Sequence, residues 1–119
     1  MTPRALATAA LMLAVAAPAW AQTPLTCSGI GVEEREAADQ VPHSLRLEYA
    51  QADGHYLGYV ATRVTRGTTV VVDITCPGPW LLADLPAGTY KVTATYKDRT
   101  KTVTVDVAAG KRTRQVITF

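Results

Sequence analysis

The sequence predicts an all-β protein, a seven-stranded antiparallel β-sandwich with one short N-terminal helix at about residues 32–40. Three observations point there. From Ser44 onward, short runs such as "SLRLEYA" and "TYKVTATY" alternate apolar and polar residues with the period of a half-buried strand. Turn-forming pairs, among them Asp53-Gly54, Arg66-Gly67 and Ala109-Gly110, cut these runs at near-regular intervals, the pattern of a sandwich or barrel. Only "VEEREAADQ" is rich in helix formers.

The chain opens "MTPRALATAALMLAVAAPAWAQ": Arg4, an apolar run from Ala5 to Ala17, then Pro18 and the small-x-small signal Ala19-Trp20-Ala21. A membrane span needs about 20 apolar residues, so this run reads as a signal peptide over residues 1–21, cleaved after Ala21. No later stretch resembles a span, so an integral membrane protein is not expected. The N-terminal segment is placed at residues 22–43 and the β domain at residues 44–119, with a periplasmic or secreted location. In such an oxidising compartment Cys27 and Cys76, the two cysteines, are most simply a disulfide. A lipid anchor on Cys27 is the alternative, since "PLTC" faintly echoes a lipobox, but Thr26 is larger than such a site accepts.

The predicted helix carries Glu33, Glu34 and Glu36 near its start, where the helix dipole favours acids, and ends before Pro42. Its apolar face is thin, so it lies on the sandwich rather than in its core. The strands follow in order. "SLRLEYA" sets Leu45, Leu47 and Tyr49 against Arg46 and Glu48, and "YLGYVATRV" runs from Tyr56. "TTVVVDIT" has consecutive valines, which suggests cover on both sides. "WLLAD" begins at Trp80. In "LPAG", Pro86 fixes φ and Gly88 is free to take positive values, which makes a tight reversal. "TYKVTATY" places Tyr90, Val92, Ala94 and Tyr96 on one face. "KTVTVDV" turns Val103, Val105 and Val107 inward, and "RTRQVITF" closes the chain.

Charge excludes one class of partner. Removing the leader takes away Arg4, one of twelve basic residues, and leaves eleven against ten acidic, too balanced for nucleic-acid binding. The halves differ, however. Residues 22–62 hold six acids and two bases, whereas residues 63–119 hold four acids and nine bases. The acidic front half is therefore expected to fold against the basic back half; a patch for an anionic envelope partner is the alternative.

No catalytic or metal-binding pattern emerges. His43 and His55 lack Cys, His or Asp at ligand spacing. Ser28 in "TCSGIG" lacks the preceding glycine of a nucleophile elbow. Gly29 and Gly31 precede the helix, but its glutamates would repel a phosphate there. No cofactor and no metal are expected. The aromatic residues Trp80, Tyr56 and Tyr59 remain as a possible ligand or partner surface, although core or rim packing is the plainer reading of Trp80. Tyr90 is expected to return its hydroxyl to nearby backbone beside the Pro86 and Gly88 turn.

The pattern Leu85-Pro86-x-Gly88-x-Tyr90-x-Val92-x-Ala94, followed by a hairpin, a valine strand, and Gly110 with Lys111 before a last strand, resembles the carboxypeptidase regulatory-like domain, a prealbumin-like (transthyretin-like) β-sandwich. The resemblance covers residues 44–119. With "CSGIGVEERE" ahead of it, the chain is similar to small standalone periplasmic proteobacterial proteins of that type. It implies a non-catalytic binding or accessory module, with an envelope protein as partner; a carbohydrate or small-ligand binder using Trp80 is the alternative. The remote alternative is a transthyretin-like hydrolase, whose polar Tyr-Arg-Gly-Ser type tail is replaced here by Val116-Ile117-Thr118-Phe119. No Asn occurs, which excludes a Lys-Asn isopeptide bond and N-glycosylation.

Overall fold

The computed structural model describes residues 23–119; the expected leader, residues 1–21, lies outside them. Eight strands and one short helix follow in the order β1 Leu25–Ser28, α1 Gly31–Ala37 with a 3₁₀ turn Ala38–Gln40, β2 Leu45–Ala50, β3 Val60–Arg66, β4 Thr69–Cys76, β5 Trp80–Ala83, β6 Gly88–Tyr96, β7 Arg99–Val107 and β8 Thr113–Thr118. They form two four-stranded sheets, A in the order β1-β5-β2-β8 and B in the order β4-β3-β6-β7.

Three expectations need correction. The strands number eight rather than seven, because "LTCS" pairs antiparallel with β5, Leu25 opposite Ala83 through Ser28 opposite Trp80. Four residues are too few for alternation to reveal, and the pairing is made possible by a partner more than fifty positions away. The arrangement is also not wholly antiparallel: β8 runs parallel to β2, Leu45 opposite Thr113 through Ala50 opposite Thr118. Because β7 belongs to sheet B, the chain must cross to sheet A to make β8, and a crossover fixes no hairpin direction. Finally, the strand expected from Tyr56 begins only at Val60. Before it, Tyr59 takes φ 59°, and a Cβ on Gly58 would lie 2.2 Å from the Pro77 carbonyl oxygen.

Alternation along each strand decides what is buried. Leu45, Leu47, Tyr49, Leu81 and Ile117 of sheet A join Val64, Val72, Val92 and Val105 of sheet B in one buried apolar cluster. Inside it the Tyr49 hydroxyl bonds the Thr62 hydroxyl. Burial pushes the Tyr49 phenol up to about 12, and the Thr62 bond offsets this only in part.

On the other face of sheet A a smaller cluster gathers Trp80, Leu82 and Ala38, with Val41 against it. Helix α1 buries none of its own residues. It is held by polar contacts: the Ile30 N–H donates to Glu34 Oε1 at 2.9 Å, Ser28 Oγ donates to the Glu34 carbonyl at 3.1 Å, and Arg35 Nε donates to the Gly29 carbonyl at 3.2 Å. The disulfide Cys27–Cys76, with Cα atoms 5.5 Å apart, ties β1 of sheet A to the end of β4 in sheet B.

Candidate functional site

Two open sheets leave four edge strands, and they differ in how well they are protected against pairing with another chain. Strand β1 has only four residues, and β7 carries Arg99, Lys101 and Asp106, all exposed. Strand β4, "TVVVDITC", has one charge, Asp73, which is paired with Arg63 of the neighbouring strand at 3.1 Å. Its pairing with β3 slips so that Val64 faces Val72 and Thr65 faces Val70, leaving Val71 out of register as a bulge. Val70, Val71 and Ile74 are half-buried.

Beside this edge lies a depression of about 320 Å³ whose wall includes Val71, Arg66, Asp84, Leu85, Pro86 and Tyr90. The sequence turn "LPAG" builds its floor. Ser44 locks that turn: its Oγ accepts from the Leu85 N–H at 2.8 Å and donates to the Leu85 carbonyl at 2.9 Å. The Tyr90 hydroxyl donates to the Pro86 carbonyl at 2.6 Å, closing the corner four residues back.

Gly88 takes a positive φ of 157°, which residues with a side chain rarely adopt. What its missing Cβ permits is close approach, since a Cβ would lie 2.9 Å from the Arg66 guanidinium carbon. Arg66 in turn reaches over the Tyr90 ring, 5.6 Å from its centroid. Pro86, Gly88 and Tyr90 thus shape a depression with an apolar wall and one cation and one carboxylate, Arg66 and Asp84, among its lining residues.

The aromatic residues are distributed differently. Trp80 is 7% exposed, Tyr56 43% and Tyr59 71%. The structure brings Trp80 and Tyr56 together edge to face, ring centroids 6.3 Å apart. Arg46 stacks over the Trp80 ring at 4.4 Å and Arg35 over Tyr56 at 5.3 Å. Stacking of a sugar on Trp80 would require Arg46 or Tyr56 to move. Trp80 Nε1 is buried and has no hydrogen-bond partner among the described residues. Tyr59 stands at the entry to β3, its N–H donating to the Cys76 carbonyl at 2.9 Å.

Sequence reasoning missed Glu48. It lies in "SLRLEYA" on the face read as polar, yet it is 1% exposed. Arg114 of β8 holds it with two hydrogen bonds, Nε to Oε2 at 2.6 Å and Nη2 to Oε1 at 2.8 Å. Arg46 Nε adds an ion pair to Oε2 at 2.8 Å without hydrogen-bond alignment. The Glu48 carboxylate holds the Arg114 guanidinium above its ordinary pKa. The acidic front and basic back halves supplied the signal, and the structure joins them here.

His55 is 80% exposed in its side chain and sits 2.9 Å from Asp53 Oδ2. The His55 backbone N–H, which donates to the Asp53 carboxylate, is the main reason that carboxyl lies below the usual range. His43 is buried, and its Nδ1 bonds the Val41 carbonyl at 2.6 Å. A carbonyl only accepts, so Nδ1 carries the proton. Among the described residues no group of three His, Cys, Asp or Glu side chains is placed to hold a metal ion, and no helix is long and apolar enough to cross a membrane. Comparison with protein-family models finds no matching model, and no curated protein is significantly similar to this chain.

Proposed function

We propose that this chain is a non-catalytic binding or accessory module of the cell envelope, built as a β-sandwich of the carboxypeptidase regulatory-like, prealbumin-like type, and that it takes an extended segment of a protein partner along β4. Main-chain hydrogen bonds to the unpaired edge supply affinity, and a side chain of the added segment entering the neighbouring depression supplies selectivity. The observation that carries the reading is the coincidence of these two features. Thr69–Cys76, an eight-residue edge whose single charge, Asp73, is already paired with Arg63, is the one whose Val71 also lines the depression with Arg66, Pro86 and Tyr90. Arg66 and Asp84 suit a partner side chain that is apolar along its length and polar at its tip. The placement outside the cytoplasm rests on the residues 1–21 leader and agrees with a disulfide between Cys27 and Cys76.

Selection from a library of extended peptides tests this reading. Bound peptides are expected to protect β4 amides from hydrogen exchange, and Val71→Lys, at the bulge, is expected to abolish binding, with circular dichroism checking that the variant keeps its β structure. Protection confined to β7, or peptides that bind the lysine variant equally well, would reject it.

A further inference from the structure

Three arginine side chains, Arg46, Arg112 and Arg114, line a second depression, of about 170 Å³, together with Asp39, His43 and Thr113. It belongs to sheet A and is independent of the β4 edge. Arg46 comes from β2, Arg114 from β8 and Arg112 from the segment that enters β8, while Asp39 and His43 come from the 3₁₀ turn and the linker after it. We propose that this depression binds a phosphate-type oxyanion, carried by inorganic phosphate or by a small phosphomonoester.

Charge favours an anion. Against three arginines stand two carboxylates, which offset two of the three positive charges. Glu48 is sealed beneath, its oxygens taken by Arg114 and Arg46. Asp39 is 71% exposed and only 4.0 Å from Arg112 Nη1, a loose pair that solvent screens. One positive charge is left over even with His43 neutral.

Donor count agrees. A guanidinium offers five N–H donors and cannot accept. The terminal amino groups of Arg46 donate to no described residue, and neither does Nη1 of Arg114; both side chains line the depression. Arg112 spends Nη2 on the Asp39 and Val41 carbonyls, at 3.1 and 3.3 Å. A planar carboxylate is satisfied by one fork, whereas guanidiniums arriving from three segments match the oxygens of a tetrahedral anion.

The donors are also held in advance. Arg114 is fixed by two bonds to Glu48, Arg46 lies between Glu48 and the Trp80 ring, and Arg112 is anchored on two carbonyls. Long side chains ordinarily lose rotamer entropy on binding, and here most of that loss has already occurred. Glu48 is paired with Arg114 and Arg46 only, so Arg112 stands at the depression with no part in holding that carboxylate.

The experiment uses protein expressed from the full-length sequence with the Cys27–Cys76 disulfide formed. Its arginine Nε–Hε and Trp80 indole resonances are followed by NMR during titration with inorganic phosphate, acetate or chloride at matched ionic strength. Saturable shifts at Arg46, Arg114 and Trp80 with phosphate are expected, weaker by about tenfold or more in Arg112→Gln and unchanged in Arg63→Gln on the other sheet. Arg46→Lys, which keeps the charge beside Glu48 but removes the fork, is expected to fold and to lose affinity. Tighter binding of glycerol phosphate would assign the organic source and equal binding the inorganic one, and both uphold the site. No saturable shift, equal affinity for acetate, or undiminished binding by Arg112→Gln would overturn it.

Discussion

Arg114 and Glu48, 66 positions apart in the chain, meet in a two-pronged hydrogen bond whose carboxylate is almost completely withdrawn from water. The pair lies on the parallel junction of β2 and β8, so it fixes both the register and the direction of the last strand. Removing one partner leaves a buried charge short of donors. Arg114→Ala is therefore expected to lower stability by about 2 kcal/mol, less than for a fully enclosed pair because Arg46 still touches the carboxylate. Adding Glu48→Gln to that variant should recover part of the loss, and a double-mutant cycle from urea denaturation measures the coupling. Strictly additive effects would mean that the two side chains do not act together.

The Cys27–Cys76 bond closes a loop between residues separated by 49 positions, and it joins strands of different sheets. Constraining the unfolded chain to that extent stabilises the fold by about 4 kcal/mol in the loop-entropy model. Replacement of both cysteines by alanine should lower the denaturation midpoint accordingly. Hydrogen exchange in β1 should accelerate first, since that strand has only four residues and one neighbour to hold it.

Tyr49 sets an alkaline limit. Its phenol ionises near 10 when exposed and at about 12 in the folded chain, so the neutral form is the one the fold prefers. The associated stability is fully present below pH 10 and is lost as pH rises from 10 toward 12, amounting to about 2–3 kcal/mol. Chemical denaturation across this window should show that slope, and Tyr49→Phe should flatten it at a cost of about 1 kcal/mol at neutral pH.

Gly29 is the contact between the N-terminal segment and Trp80. It takes φ 96°, and a Cβ there would lie 2.8 Å from Trp80 Cγ. Gly67, at φ 61°, faces open space. Gly29→Ala should cost about 2–3 kcal/mol and change the Trp80 emission, whereas Gly67→Ala should cost about 1 kcal/mol and leave emission alone. Equal costs would show that the packing against Trp80 contributes nothing.

Much of this architecture was legible in the sequence, and the reasons for the rest are physical. Strands with alternating faces, such as Leu45–Ala50 and Gly88–Tyr96, announce themselves because burial on one side imposes period two. The disulfide followed from counting cysteines. Leu25–Ser28 could not be read, since a short strand is defined by its partner rather than by its own pattern. Glu48 was assigned to a polar face by the same alternation that located the strand. That face is polar, but Trp80, Arg46 and Arg114 cover it, and cover is a property of tertiary structure. For Trp80 the plainer sequence reading is core or rim packing, and only the positions of Arg46, Tyr56 and Gly29 show the form its enclosure takes.

The two sheets also differ in when they can exist. Sheet B is drawn from residues 60–107, mostly through hairpins between near neighbours, whereas sheet A collects β1 and β8 from opposite ends of the described chain. Contacts between distant segments form slowly because the intervening chain must first be ordered. A polypeptide emerging N-terminus first would have the hairpins β3–β4 and β6–β7 within reach long before Arg114 arrives to meet Glu48. Pulse-labelled exchange during refolding should accordingly find the amides of sheet B shielded early and those of β2 and β8 last, so that the arginine arriving with the final strand completes the assembly.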